Sequence, residues 1–270
     1  MQNSRPSAVA GLFYPATTAS LSEMIEHSFH QAKPCLQQHK PKALIVPHAG
    51  YIYSGAVAAS VYQYLLSNRD DIKRVVLIGP SHRVGFYGLA LSSADYFNTP
   101  FGAIKVNHDS DQTLLELEGV IILDEAHANE HSLEVQLPFL QFSLSNFTII
   151  PIVVGDANTT LVSHVIEALW GGSETLIVIS SDLSHYHDYK TAKLLDDATS
   201  QAIIAFDSNR IDSLHACGCV GIRGLLEFAQ HFPLKASIID VRNSGDTAGS
   251  KDSVVGYGAF LFEEETDVQQ

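Results

Sequence analysis

Four separated segments of this chain set a histidine among proline, serine or acidic neighbours. They are Pro47-His48-Ala49-Gly50-Tyr51, Gly79-Pro80-Ser81-His82, Glu130-His131-Ser132-Leu133-Glu134 and Ser180-Ser181-Asp182-Leu183-Ser184-His185. Imidazole carries protons near neutral pH and binds zinc, iron, nickel and copper. Three of the four segments follow short apolar runs suited to strands, at residues 43–46, 75–78 and 175–179. Functional groups of open α/β sheets collect at the carboxyl ends of strands, so positions far apart in sequence become neighbours. The pattern points to a metal or acid/base site.

Each segment also admits an ordinary structural role. Pro47 stiffens the approach to His48 and Gly50 permits a tight turn, whether or not the imidazole binds anything. Asp182 either orients an imidazole while His185 transfers protons, or caps a helix beginning near His185. Glu130 and Glu134, four residues apart, would share one helix face as a charged rim or as part of a site. The segment resembles the zinc-protease H-E-x-x-H helix only superficially, because glutamate and histidine are reversed and the second histidine is missing. His131 therefore reads as lining a cleft.

The turn Asn243-Ser244-Gly245-Asp246-Thr247-Ala248-Gly249 lacks dinucleotide-binding glycine spacing and presents Asp246 as a carboxylate, or forms a plain Asx turn. A G-x-S-x-G elbow and a P-loop are both missing from the sequence, which argues against serine acyl transfer and nucleotide hydrolysis by those routes. Three cysteines, Cys35, Cys217 and Cys219, are too few for a disulfide framework. Cys217 and Cys219 read as small apolar residues at a helix start, with redox pairing a lesser option.

The elements that would position these residues alternate strand and helix, the signature of an α/β fold with a mostly parallel central sheet flanked by helices. Helices are expected at 21–32, 54–66, 132–142 (kinked or shortened by Pro138), 161–170, 190–206 and 219–230. Strands are expected at 43–46, 75–78, 88–92, 147–154 and 175–180, with 237–241 and 254–262 near a sheet edge. Residues 147–180 read as a βαβ unit with parallel pairing. Residues 9–15 read as an irregular arm packed on the body. With 270 residues, 46% hydrophobic, and no linker or repeat, one domain over 1–270 is the simplest organisation.

A net charge of −14 with no basic run argues against nucleic-acid partners. The longest apolar runs are too short for a bilayer span and the amino terminus lacks a signal-peptide core, so no membrane association and a cytoplasmic location are expected. Glu263-Glu264-Glu265 reads as a solvated tail.

Taken with Asp252-Ser253-Val254-Val255-Gly256-Tyr257 and the opening Ala10-Gly11, Phe13-Tyr14, these motifs resemble the Memo family, whose prokaryotic members are also called AmmeMemoRadiSam system protein B. The resemblance runs over nearly the whole chain. It implies a fold similar to class III extradiol dioxygenases, non-haem iron enzymes that open catechol rings. It places His48 and His82 on metal ligands, His185 on the acid/base histidine and His131 on a further active-site histidine, with Asp182 in support. Animal Memo proteins have a cysteine before the final strand, which falls at Thr247 here, so the neighbouring Asp246 is the nominated third ligand. Iron(II) is the implied metal, with zinc or another divalent ion as the alternative. The functions to be separated are a dioxygenase-like enzyme acting on a small molecule, a zinc hydrolase, and a non-catalytic scaffold binding a peptide or protein partner in the same cleft.

Overall fold

The order in which the strands assemble is what builds the site. Along the chain the elements are β1 (Ser4–Arg5), α1 (Thr18–Gln31), β2 (Ala43–Val46), α2 (Tyr51–Tyr62), β3 (Arg74–Pro80), β4 (Leu89–Leu91), β5 (Tyr96–Thr99), β6 (Gly102–Lys105), α3 (Asp111–Leu115), β7 (Val120–Ile122), α4 (Asp124–Ala128), α5 (Leu137–Ser143), β8 (Thr148–Val154), α6 (Thr159–Leu169), β9 (Thr175–Ser180), β10 (His185–His187), α7 (Tyr189–Ile204), α8 (Cys219–Ala229), β11 (Leu234–Asn243) and β12 (Val254–Glu264). The structure, a computed structural model, describes residues 3–35 and 39–265. Met1 and Gln2, the start of the segment weighed as a signal peptide, lie outside the described residues.

The main sheet has the order β10-β12-β2-β9-β3-β8-β4-β7, with β11 also paired to β12. Its centre, β2-β9-β3-β8, is parallel. Those four runs are apolar almost without interruption, as strands covered on both faces must be. Val46 pairs with Ser180 and Ile78 with Ile179, so β2, β9 and β3 end nearly level.

The flanks depart from the expected parallel pattern. β12 runs antiparallel to β2, and β4 antiparallel to β8. β12 was expected near an edge, yet it is interior, between β2 on one side and β11 and β10 on the other. Its unbroken buried stretch fits that place. β8 and β9 are parallel, as the βαβ reading requires, but β3 lies between them.

Alternation along each strand divides the core into two layers. Leu44, Val46 and Leu77 face α1, α2 and α5, packing with Ile25, Val57 and Phe139. Ala43, Ile45 and Ile78 face the opposite side, packing with Ile166 of α6, Ile203 of α7 and Ile222 of α8. Among the described residues no helix is long and apolar enough to cross a membrane.

Two local differences bear on the site. The expected 132–142 helix is divided into a 3-10 turn, Glu134–Gln136, and α5, with Pro138 in the first turn of α5, where its missing N–H costs nothing. Glu130 precedes both pieces, so it shares no helix face with Glu134. A second, three-stranded sheet β1-β5-β6, unforeseen in the sequence, ties the amino terminus down. The carboxyl-terminal acids are held rather than free: Glu263 Oε2 meets His39 Nδ1 at 2.6 Å, and Glu264 Oε1 accepts the Trp170 Nε1–H at 2.9 Å.

Candidate metal centre

Each histidine of the site is placed by the strand or loop before it. His48 lies two residues beyond β2, where Asp182 Oδ1 accepts its backbone N–H at 2.7 Å and that of Ala49 at 3.3 Å. Asp182 itself follows β9, so the carboxylate joins two strand ends. His82 lies two residues beyond β3. The loop carrying Glu130 and His131 closes onto the end of β3, where Ser132 Oγ donates to the Pro80 carbonyl at 2.8 Å. That approach depends on Gly79: a Cβ there would meet Leu133 Cδ2 at 2.8 Å and Ser132 Oγ at 3.0 Å.

His48, His82 and His131 converge. Their ring centroids are 5.1 Å (48–82), 5.4 Å (48–131) and 4.6 Å (82–131) apart. One ring nitrogen from each lies within 4.8 Å of the others, a spacing suited to a shared metal ion. The ring of Phe13, from the amino-terminal arm, packs on His131 at 4.6 Å.

Hydrogen bonds fix the tautomer of His48. Ser180 Oγ donates its proton to the Ser132 carbonyl at 2.6 Å and accepts from Gln136 Nε2 at 2.8 Å. With its proton committed, it meets His48 Nδ1 at 2.9 Å as an acceptor. Nδ1 therefore carries the hydrogen and Nε2 the lone pair. Burial, with His82 and His131 adding to it, holds the His48 pKa well below the usual range, so the ring is neutral, as a ligand must be.

Glu130 does the same for His82. Burial would raise its carboxyl, but the His131 and His82 side chains beside it and the backbone N–H groups it accepts outweigh that and hold it well below the usual range. Oε1 lies 2.9 Å from His82 Nδ1 and accepts the N–H groups of His131 and Ser132, each at 2.9 Å. Oε2 accepts the His82 N–H at 2.5 Å. His131 Nδ1 lies 3.2 Å from Oε1 but finds no well-aligned hydrogen bond.

The other nominated residues are placed differently. Asp246 is absent from the imidazole group: one carboxylate oxygen accepts the Tyr189 hydroxyl at 2.5 Å, and the other accepts the Asn243 N–H at 3.1 Å in a capping box. The expected third ligand is thus engaged in its own turn, and His131 stands in the group instead. His185 begins β10 and lies close enough to His48 and Asp182 for its charge to bear on both. Burial raises the Asp182 carboxyl against the pull of its backbone donors.

Three contributors escaped the sequence reading. Ser180 and Gln136 orient His48, and Cys217, read as an inert apolar residue, places its Sγ 3.2 Å from His48 Nε2. Burial and the nearby Asp182 push that thiol up to about 12, so it is protonated. Gly218 allows the contact, since a Cβ there would lie 2.7 Å from the Ser180 carbonyl oxygen. The only advance signal was Ser180 itself, the first residue of the motif that ends in His185.

A profile of the family described as "Memo-like protein" matches residues 5–261. The chain is 34% identical to a MEMO1 family protein of Metallosphaera sedula and 35% identical to one of Sulfolobus acidocaldarius, each alignment covering 96% of this chain and 99% of the relative. A MEMO1 family protein of Saccharolobus islandicus is 36% identical over the same shares. Among solved structures, the uncharacterized protein JW3007 of Escherichia coli K12 superposes with a TM-score of 0.51 at 13% identity, covering 81% of this chain and 98% of that one, a likeness of fold alone. With the motif-bearing strand ends, the shared fold and matches along nearly the full length of its relatives, the chain belongs to the Memo family.

Proposed function

We propose that His48, His82 and His131 hold one divalent metal ion, iron(II), and that the centre acts on a small molecule in the manner of the ring-opening dioxygenases the family resembles. The observation that supports this is the convergence of three imidazoles, two of them held at Nδ1 by Ser180 and Glu130 so that Nε2 carries the lone pair. When bound, iron(II) supplies redox chemistry with dioxygen. The chain's own residues do the rest. His185 carries the proton, Asp182 keeps the His48 loop in register, and Phe13 shields His131 from water.

A zinc hydrolytic centre is the second reading, favoured by one observation: the group contains three histidines and no carboxylate, a donor set used by catalytic zinc. Glu130 makes a poor base for it, because both its oxygens are occupied by donors. Asp182 is the remaining carboxylate for that role.

Anaerobic reconstitution with iron(II), or loading with zinc, followed by metal analysis of wild type and of His48→Ala, His82→Ala and His131→Ala, tests the site. Occupancy near one ion per chain that falls in each variant is expected, and unchanged occupancy in all three would sink the assignment. Oxygen uptake with a catechol separates iron chemistry from zinc hydrolysis. Binding of a peptide partner by metal-free protein, undiminished in the variants, would instead favour a scaffold.

A further inference from the structure

Beside the imidazoles lies a cavity of about 250 Å³ that neither metal reading uses. Ile78, Val84, Phe86, Ile179 and Val220 supply its apolar walls. Ser180 and Cys217 also line it, and these two touch His48 at its opposite ring nitrogens, Oγ to Nδ1 at 2.9 Å and Sγ to Nε2 at 3.2 Å. The cavity and the site thus share a wall.

Besides the Cys217 thiol and the exposed Asp156 carboxylate, the polar side chains of the lining are two serine hydroxyls, and both are served from within the protein. Ser81 Oγ donates to the Val84 carbonyl at 2.7 Å, and Ser180 Oγ to that of Ser132. Little is left to hold a polar guest. An apolar cavity of about 150 Å³ takes up benzene, so one of about 250 Å³ suits a substituted ring or a branched chain of similar bulk. The single charged residue of the lining, Asp156, is exposed, and the chain carries a net charge of −14. An anionic guest meets repulsion there, while a neutral or cationic one does not.

We propose that this cavity binds the apolar body of a small uncharged or amine-bearing molecule, with Cys217 forming the partition between that molecule and the His48 imidazole. The inference deepens the metal-site reading and rests on it for its role beside a catalytic centre, although binding itself requires no metal.

Titration of metal-free protein with benzylamine and with benzoate, followed by calorimetry and by NMR of the Ile78, Ile179 and Val220 methyl groups, tests it. Benzylamine is expected to shift those methyls saturably and to bind about fivefold more tightly than benzoate, the preference falling in Asp156→Asn. Gly85 lines the cavity, and a Cβ there would find no atom within 4 Å, so Gly85→Leu fills open space. That variant should weaken benzylamine by at least about tenfold while melting and zinc occupancy stay as in wild type. Val220→Phe, on another wall, supplies the same comparison should Gly85→Leu fold poorly. No shift of the methyls in wild type, or unchanged affinity in the filled variant, overturns the proposal. Zinc loading of a second portion of each preparation keeps the two readings apart: benzylamine bound by protein that takes up no zinc sinks the metal site alone, and zinc taken up by protein that binds no benzylamine sinks the cavity alone.

Discussion

Nδ1 of His82 and Oε1 of Glu130 lie 2.9 Å apart, and the other oxygen of that carboxylate takes the backbone N–H of the same histidine at 2.5 Å. Glu130 therefore grips His82 at two points and sets both where the ring sits and which nitrogen holds the hydrogen. Its side chain is 1% exposed, against 30% for His82, so the anchor is buried and the imidazole it holds is open.

Glu130→Gln keeps the shape but weakens the acceptor and adds a donor facing other donors. Metal affinity should fall by about 10- to 100-fold, as for other partners of metal-bound histidines. Competition with a chelator of known affinity measures it, and Glu130→Asp should recover part of the loss. Equal affinity in wild type and Glu130→Gln would remove Glu130 from the site.

Asp246→Ala separates the two candidates for third ligand. The side chain caps its own turn and accepts the Tyr189 hydroxyl, so its removal should cost about 1 kcal/mol of stability. Metal occupancy should be unchanged, whereas His131→Ala lowers it. Loss of metal in Asp246→Ala with His131→Ala unaffected would restore the carboxylate as ligand.

Glu134 is fully buried and accepts from Arg5 Nη1 at 2.6 Å, the Tyr14 hydroxyl at 2.6 Å, and the backbone N–H groups of Ala8 at 2.7 Å and Val9 at 3.0 Å. Glu134→Ala leaves the buried Arg5 guanidinium without its counter-charge and the buried Tyr14 hydroxyl and Val9 N–H without this acceptor, and should destabilise the fold by about 3–5 kcal/mol in urea unfolding. The arm at residues 9–15 should also become sensitive to protease, carrying Phe13 away from His131.

His127 gives the fold a pH dependence of definite sign. Burial lowers its pKa from 6.5 to about 4, with Nε2 held 3.0 Å from the Ala90 carbonyl oxygen. Between those values the unfolded chain binds the proton and the native state does not, so the contribution is full above pH 6.5 and is lost as pH falls toward 4. The change amounts to about 3 kcal/mol. Asp196, raised by burial to about 6, works in the opposite direction over part of that window. The measurement is thus the difference between wild type and His127→Gln: urea stability of the wild type should fall more steeply from pH 7 to pH 4.

The parts of the site legible in the sequence were those that follow directly from strand ends. The apolar runs before His48 and His82 are short, β-prone and closed by proline-containing turns, so both the strands and the place of the histidines could be read. His131 as a member of the metal-capable group could not, because it depends on a loop closing over Gly79, and the local sequence around Glu130 suggested a helix. Asp246 was nominated by its place before the last strand; the Asn243 capping box and Tyr189, which engage it, are tertiary facts. Cys217 was hidden for the same reason, since only the seating of α8 against the end of β9 brings it to His48. The interior position of β12 is likewise set by pairings with β2 and β11, which its own sequence does not specify.

The strand order has a thermodynamic consequence. Imidazoles that begin at residue 48 and end at residue 131 come together only when β2, β9 and β3 are aligned, so the unfolded chain offers no comparable group. An ion held there binds the native state alone, and at a free concentration 100 times its dissociation constant it would add about 2.7 kcal/mol to stability. The melting temperature should therefore rise with metal concentration, which makes the fold its own binding assay.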